Sequence, residues 1–496
     1  MSKAPLVAAL FVASTQVACV GCTDDTPFVS KLQNTSNPGG GDAELTTFSP
    51  AGCGYTIARV AIEGVAPFNP HKDVVSADPQ LRYVRRGLGG DVSPTATSGR
   101  ADPSTSFSVG WQSDNETLAS KIKYGESADK LDLSTTGFSY VVEQQFSVGP
   151  PDGIRFHEVH VCGLKPGRTY YYQVGGGAAG KEVWSKTYSL TTGPAAGATD
   201  AVKIGFAGDS RDALGRTELP VWRAIAQRYK ADGTNIVLFS GDMVLVGANQ
   251  SMWDVWSKAV GEAGPSVFFA LAPGNHENEQ IRSFAHMLMP GAATKNAERY
   301  SSFDYGPVHV VMLDDYPGIV AKNIDDTGYR DEVLAWLDKD LAKATANRSA
   351  VPWIVTFHHH PLYSDTTQVE RAAERAQVRL AFQALYDKYK VDLDLTGHDH
   401  FYNRFKPVVS GDTEDPKGTI YVVCAGAGAP SYSLKDGNPL TAFKTPYDPD
   451  KGEGIYGLAT VDASSFKAKM YRMGSTASGS SPADDTVIDE FEIAKK

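Results

Sequence analysis

The sequence predicts a two-domain protein in which an all-β sandwich precedes a layered α/β domain. Over residues 56–195, short runs of alternating polarity are separated by turn residues, a pattern typical of strands. From residue 198 to 496, apolar strand-like runs alternate with helical stretches, which favours an α/β architecture. The chain has 496 residues, enough for two or three domains, and its 48 Gly and 28 Pro indicate many turns.

The first 22 residues have the pattern of an export signal. Lys3 supplies a positive start, and the following stretch to Val17 is almost free of polar groups but too short for a membrane span. Small residues precede Cys19 and Cys22, which resembles the cleavage site of a bacterial lipoprotein whose new N-terminal cysteine carries lipid. The alternative is a plain secretory signal. We therefore expect an exported protein, either a lipoprotein of the bacterial cell envelope or a secreted or periplasmic one.

Residues 23–55 contain little that could fill a core, and we predict a flexible linker there. The segment Gly163–Val174 then places a Pro-Gly turn before a strand that begins with tyrosine, as in the tyrosine corner of a Greek-key sandwich. The region 56–195 thereby resembles a fibronectin type III-like domain, and Thr191–Gly197 has the composition of the linker that ends it.

Beyond the signal, three cysteines remain: Cys53, Cys162 and Cys424. One pair can form a disulfide in an oxidising compartment, and we predict Cys53 with Cys162 because both precede the α/β domain. Three buried free thiols are the alternative.

The α/β domain is predicted from apolar runs and from helical spacing of apolar residues. The predicted strands are Val202–Ala207, Ile236–Ser240, Val267–Ala272, Val308–Leu313, Trp353–Phe357, Val391–Thr396 and Thr419–Cys424. The predicted helices are Glu218–Tyr229, Arg330–Ala344 and Glu370–Tyr389. Near the end, Leu458–Val461 and Ala468–Arg472 are predicted to form a hairpin.

Five polar clusters stand at the ends of apolar runs in this domain. They are Gly208-Asp209, Gly241-Asp242, Gly274-Asn275-His276-Glu277, His358-His359-His360-Pro361 and Gly397-His398-Asp399-His400. Ligands bind beyond the carboxyl ends of strands in α/β sheets, so the five clusters are expected to converge on one site. Any one cluster alone could be an ordinary turn or a strand end, whereas all five in order indicate a metal centre.

The residue types of these clusters suit a pair of metal ions. Carboxylate, amide oxygen and imidazole match Fe, Zn or Mn, and thiolates are missing from the clusters. A carboxylate such as Asp242 can bridge two ions roughly 3.5–4 Å apart, as in two-metal hydrolases. The sequence therefore predicts two divalent or trivalent metal ions as cofactors.

This order of motifs resembles the calcineurin-like metallophosphoesterases, and within them it is most similar to the purple acid phosphatases. The stretches Ser302–His309, His398–Arg404 and Gly418–Gly428 add to the resemblance, which covers about 100 to 495. It implies a layered αββα catalytic domain behind the sandwich.

The resemblance also implies a role for each residue of the motifs. Asp209, Asp242 and His400 would hold metal one, and Asp242, Asn275, His359 and His398 would hold metal two. His359 is preferred to His358 because the family's ligand stands two residues before a proline. His276 would bind phosphate or protonate the leaving oxygen, and Arg404 would contact substrate.

The sequence departs from the family at two positions. Leu245 occupies the place of the tyrosine that ligates iron in the purple enzymes, and Arg211 occupies the place of a histidine found in other members. Metal one thus lacks a protein ligand, which water or a further residue has to replace. The Arg211 guanidinium could grip a substrate phosphate, or it could form an ion pair with Asp212 or another acid.

The function that follows is metal-dependent hydrolysis of phosphate esters, with a small phosphomonoester as substrate, as in acid phosphatases. One alternative is a phosphodiesterase acting on nucleotides or lipid head groups. Another is a non-catalytic surface binding module with a degenerate phosphoesterase domain. The net charge of −11, with no long basic run, argues against binding a nucleic-acid scaffold, and the membrane is expected as a partner only through the N-terminal lipid anchor.

Overall fold

The amino-terminal domain is a sandwich of two antiparallel sheets. A computed structural model describes residues 46–59, 73–90, 102–142, 153–211, 217–277, 281–290, 296, 298–322, 328–476 and 481–495. The strands are β1 (Thr46–Phe48), β2 (Ile57–Arg59), β3 (Arg82–Gly87), β4 (Phe107–Asp114), β5 (Lys121–Gly125), β6 (Leu133–Thr136), β7 (Phe138–Tyr140), β8 (Ile154–Val161), β9 (Thr169–Gly176), β10 (Val183–Trp184) and β11 (Tyr188–Thr191). One sheet has the order β3-β4-β8-β7, and the other has the order β10-β9-β5-β6 with β11 also paired to β9. Alternate residues of β4 and β9, such as Phe107, Val109 and Tyr172, fill the core between the sheets.

Two predictions for this domain are confirmed. Lys165 N–H donates a hydrogen bond of 3.1 Å to Tyr170 Oη, which is the bond that defines a tyrosine corner. Cys53 and Cys162 form a disulfide, whereas Cys424 is a buried free thiol.

The prediction of a flexible linker over 23–55 is wrong for its last ten residues. Residues 46–55 contain β1, which pairs with β2, and the disulfide-bonded Cys53. The polar composition gave no sign of this short hairpin, which the disulfide joins to Cys162, directly after β8. The predicted signal at 1–22 and the rest of the predicted linker lie outside the described residues.

The second domain is built on two mixed sheets with helices outside them. Its strands are β12 (Val202–Ala207), β13 (Ile236–Phe239), β14 (Phe268–Leu271), β15 (Tyr300–Tyr305), β16 (Val308–Leu313), β17 (Trp353–Phe357), β18 (Leu393–Thr396), β19 (Tyr402–Phe405), β20 (Val408–Val409), β21 (Thr413–Glu414), β22 (Ile420–Cys424), β23 (Thr441–Thr445), β24 (Gly454–Val461), β25 (Ser465–Met473) and β26 (Thr486–Ala494). Its helices are α1 (Pro220–Asp232), α2 (Gln250–Val260), α3 (Ile281–Met287), α4 (Tyr329–Ala346) and α5 (Ala372–Tyr389).

The two large sheets follow the orders β14-β13-β12-β24-β25-β26 and β15-β16-β17-β18-β22-β19-β23. One apolar core joins both sheets to α1 and α2. A second core lies between the sheet that contains β15, β16 and β17 and the helices α4 and α5. The predicted αββα layering behind a sandwich is thereby confirmed.

The sandwich also contacts the loops of the second domain. Backbone N–H groups of Arg86 and Leu88 donate to the carbonyls of Gly264 and Leu288, at 2.9 and 3.3 Å.

Within the described residues, the helices are all too short or too polar to cross a bilayer.

Candidate metal centre

The predicted ligands all follow the carboxyl ends of parallel strands. Asp209, Asp242 and Asn275 come after β12, β13 and β14, which run parallel in one sheet. His359 follows β17, and the His398–His400 loop follows β18, which runs parallel to β17 in the other sheet. The edges of the two sheets therefore present their ligands to one another, as the sequence predicted.

Glycine before the ligands is required by close backbone approach. A Cβ at Gly274 would lie 2.3 Å from Asp242 Oδ1, and one at Gly397 would lie 2.3 Å from Asp209 Oδ2. Asp209, Asp242 and His398 themselves have left-handed backbones, with φ of 60°, 56° and 67°. Strained conformations of this kind cluster at functional sites, where the surrounding structure enforces them.

Four donor atoms converge at the position predicted for metal two. Asn275 Oδ1 lies 3.0 Å from His359 Nε2 and 3.1 Å from His398 Nδ1. The two imidazole nitrogens are 3.3 Å apart, and His359 Nε2 lies 3.3 Å from Asp242 Oδ1. Donors placed about 2.1 Å from one ion in tetrahedral or octahedral geometry have this mutual spacing, so the group fits a metal ion.

The metal-one group has fewer donors. Asp209, Asp242 and His400 offer ligand atoms that all lie within 4.8 Å of one another, and His400 Nε2 lies 3.4 Å from Asp209 Oδ1. Among the described residues, His400 Nε2 has no hydrogen-bond partner although it is buried. An orphaned imidazole nitrogen between two carboxylates fits a cation.

Backbone carbonyls fix the histidine tautomers. His359 Nδ1–H donates to Ser240 O at 2.7 Å and His400 Nδ1–H donates to Pro430 O at 2.6 Å, so both rings turn Nε2 toward the centre. His398 is reversed: its Nε2 lies 3.0 Å from Glu374 Oε2, and its Nδ1 faces the centre. Partners of this kind orient imidazoles for metal binding.

Asp315 contacts the first and the third of the three consecutive histidines, His358 and His360. His358 lies 2.7 Å from Asp315 through Nδ1 and 3.1 Å from Asp394 through Nε2, so both of its nitrogens face carboxylates rather than the centre. His360 Nδ1 lies 2.7 Å from Asp315, and its ring lies 4.3 Å from that of His398. The geometry thus supports His359 as the ligand over His358 and adds His360 as a neighbour that the sequence did not single out.

The electrostatics of the centre call for positive charge. Burial raises the pKa of the Asp209 carboxyl well above its usual value. Burial acts in the same direction on Asp242, yet His359 and His276 hold the pKa of that carboxyl well below its usual value. Burial lowers the pKa of His276 to about 4, while the charge of Asp242 overcomes burial at His359 and raises that pKa to about 10. Adjacent buried carboxylates ionise together only beside cations, which two metal ions would provide.

The three residues predicted to contact substrate have different outcomes. Arg211 Nε donates to Asp242 Oδ2 at 3.2 Å, so the guanidinium is at the centre and pairs with an acid there; Asp212 lies outside the described residues. His276 Nδ1–H donates to Leu245 O at 2.7 Å, which leaves Nε2 3.8 Å from Asp242 Oδ2.

The substrate contact predicted for Arg404 is wrong. Its Nε and Nη2 donate to both oxygens of Asp489 on β26, at 2.7 and 3.0 Å. Arg404 lies on β19, and this bidentate pair holds its guanidinium against the neighbouring sheet.

Sequence reasoning missed a supporting residue in the third polar cluster, Gly274-Asn275-His276-Glu277. Glu277 accepts hydrogen bonds from the backbone N–H of Asp242, Gly274 and Val244, at 2.9, 2.9 and 3.1 Å. It therefore locks two ligand-bearing loops together. Its position directly after Asn275-His276 was visible, but its role depends on a loop 35 residues away.

Comparison with known proteins covers both domains. Residues 94–192 match the family model for the N-terminal domain of purple acid phosphatases, and residues 202–402 match the family model for calcineurin-like phosphoesterases. The chain is 29% identical to purple acid phosphatase 21 of Arabidopsis thaliana over 351 residues, 69% of this chain and 71% of that protein. It is 28% identical to acid phosphatase type 7 of Mus musculus over 296 residues, 55% of this chain and 64% of that protein. The fold is similar to that of the purple acid phosphatase PPD1 from yellow lupin seeds, with a TM-score of 0.66, 20% identity, and coverage of 84% of this chain and 75% of that one.

Proposed function

From the premise that this chain belongs to the calcineurin-like metallophosphoesterases and is most similar to the purple acid phosphatases, we propose a role for each residue of its centre. The chain is a phosphoric ester hydrolase with a dinuclear metal centre. We assign metal one to Asp209, Asp242 and His400. We assign metal two to Asp242, Asn275, His359 and His398.

One observation carries this assignment. Asn275 Oδ1 lies within 3.1 Å of two imidazole nitrogens that come from two different strand ends, and those nitrogens are 3.3 Å apart. Three polar donor atoms from three strand ends thus lie at the mutual spacing expected of ligands to one ion. Asp242 adjoins both groups, which is why it is the bridging carboxylate of the proposal.

The residues around the metals have separate tasks in the proposed reaction. Metal ions in such a pair polarise phosphate oxygens and lower the pKa of bound water. We assign Arg211, which donates to Asp242 Oδ2, to neutralise a phosphate oxygen. His276 turns Nε2 toward the same carboxylate, and we assign it to the leaving-group oxygen.

The natural substrates that we propose are small phosphate monoesters. The experiment that tests the function measures metal content and turnover of wild type and of Asp242→Ala. Loss of the shared carboxylate is expected to remove both metals and essentially all turnover of 4-nitrophenyl phosphate. Asp340→Ala is the control, since Asp340 is a buried aspartate engaged with Ser302 and His309 instead.

Three outcomes of that experiment would change the proposal. Full turnover by Asp242→Ala would refute the assignment of ligands. Faster hydrolysis of bis(4-nitrophenyl) phosphate than of the monoester by wild type would favour a phosphodiesterase. One or no metal in wild type would favour a binding module.

Export is supported by the disulfide between Cys53 and Cys162, which is typical of oxidising compartments. We propose further that the segment 1–22 directs lipid attachment at Cys19 or Cys22. Incorporation of labelled palmitate into wild type, and its loss when both cysteines are changed to serine, tests this. Unlabelled wild type would indicate a plain secretory signal.

A further inference from the structure

Tyr432 lies directly on a proposed metal ligand. Its ring stacks on that of His400, with centroids 4.1 Å apart and an angle of 15° between the planes. Its backbone N–H donates to His400 O at 3.1 Å. The side chain and the main chain therefore both hold Tyr432 to the loop that carries His400.

The hydroxyl of Tyr432 continues a chain of polar contacts around the metal-one group. Arg211 Nη2 donates to Tyr432 Oη at 3.2 Å, and Arg211 Nε donates to Asp242 Oδ2 at 3.2 Å. A guanidinium donates and never accepts, so the phenol oxygen is the acceptor and its own hydrogen points away from Arg211. The positive charge beside that oxygen makes the phenol a stronger donor.

Arg371 contacts both the ring of Tyr432 and the loop that carries His398 and His400. Its guanidinium lies 4.7 Å from the centre of the Tyr432 ring. The same side chain donates to His398 O at 2.8 Å and to Asp399 Oδ1 at 2.5 Å, both in the His398–His400 loop. The ring of Tyr432 is thus held between a cation and an imidazole rather than left to rotate at a surface.

We propose that Tyr432 is a phosphate-binding residue, whose phenol acts with Arg211 to hold a substrate phosphate oxygen beside the Asp209–Asp242–His400 group. This inference rests on the proposed phosphoesterase function. It identifies a group at the metal-one side where the sequence has Leu245 instead of a tyrosine. Leu245 has no phenol, and its backbone carbonyl accepts a hydrogen bond from His276 Nδ1–H. The aromatic hydroxyl that the structure links to Asp242, through Arg211, belongs to Tyr432 instead.

The chemistry of the substrate explains why two such donors would be needed. A phosphate monoester carries up to two negative charges, and metal one has only three protein ligands in the proposed assignment. Arg211 supplies a positive charge and planar N–H donors. The phenol adds an uncharged O–H donor, whose ring is held by stacking on His400. Stacking on His400 fixes the ring of Tyr432, and the bond from Arg211 fixes its hydroxyl next to the guanidinium that pairs with Asp242.

The test uses Tyr432→Phe, which removes the hydroxyl and keeps the stacked ring. Binding of inorganic phosphate to the metal-loaded protein is measured by calorimetry, and metals per chain are measured by elemental analysis. Phosphate binding is expected to weaken about tenfold, as for loss of one charge-assisted hydrogen bond, with two metals retained. Tyr456→Phe is the matched control, because the ring of Tyr456 also stacks on another ring, that of Tyr471, and its hydroxyl donates to Asp485, which is not among the residues of the proposed centre. Its affinity for phosphate should stay within twofold of that of wild type.

A double variant separates a working pair from two independent residues. Arg211→Gln with Tyr432→Phe should weaken phosphate binding by clearly less than the product of the two single effects, since the pair holds one oxygen. Unchanged phosphate binding in Tyr432→Phe, or loss of a metal ion from it, would overturn the inference. If wild type itself bound no metals and no phosphate, the proposed function would fail, which is a distinguishable result.

Discussion

Substituting Gly274 tests the centre without changing the identity of any predicted ligand. A Cβ at this position would lie 2.3 Å from Asp242 Oδ1 and 2.5 Å from Asp242 N, whereas ordinary contact begins at 3.4 Å. The carboxylate therefore has to move by about 1.1 Å, the difference between 3.4 Å and 2.3 Å. Displacement of about 1 Å in a reacting geometry can cost about 100-fold in rate. Because Asp242 adjoins both ligand groups, Gly274→Ala should lower kcat/KM by at least about 100-fold.

The assay combines kcat/KM on 4-nitrophenyl phosphate with metals per chain and the thermal midpoint. Gly457→Ala is the matched control, since its Cβ would lie 2.8 Å from both Met470 Sδ and Phe206 Cδ2, in the core between the sheets. Both variants are expected to lose stability, but only Gly274→Ala should lose metal. Two metals per chain and kcat/KM within threefold of wild type in Gly274→Ala would refute the proposed bridging role of Asp242.

Three further outcomes are expected. Changing Cys53 and Cys162 to serine opens a cross-link between residues 109 positions apart, which should lower the free energy of unfolding by about 4–5 kcal/mol in urea titrations; a loss under 1 kcal/mol would contradict a stabilising disulfide. His309 is buried, but aspartates at both ring nitrogens raise its pKa to about 9. Its contribution is full below the unfolded pKa of about 6.5 and is lost as pH rises through 9, so stability should fall by up to about 3 kcal/mol between pH 7 and 10, and His309→Gln should flatten that slope. Glu277→Gln places an amide against backbone N–H donors and should weaken metal binding about 10–100-fold in dialysis against chelators; unchanged affinity would show that the loop lock is dispensable.

The strands of the α/β domain were predictable because each is a short apolar run with clear ends. The predictions for β16 and β17 match the structure residue for residue, and the predicted β12 does as well. Helix α2 (Gln250–Val260), in contrast, is missing from the predicted helices. Its signals are Asn249, which caps it through its side chain, and Trp253, Trp256 and Val260 at helical spacing, but the polar residues between them diluted the pattern.

The predicted substrate role of Arg404 shows where motif reasoning fails. The family resemblance implied that role, but Arg404 lies on β19, and residues on a strand alternate between the two faces of a sheet. Asp489 lies 85 positions away and takes the guanidinium in a bidentate pair. A partner so distant in sequence leaves no local signal.

The sequence by itself determined which polar clusters end the strands and in what order, because each cluster follows an apolar run whose pattern is local, and the family resemblance then predicted the ligands among them. It also showed leucine instead of tyrosine at 245. Only the tertiary structure decided which imidazole nitrogen faces the centre, where Arg211 points, and that Tyr432 lies against His400. Those features depend on contacts between segments as far as 221 residues apart, which only the packing of two sheets brings together.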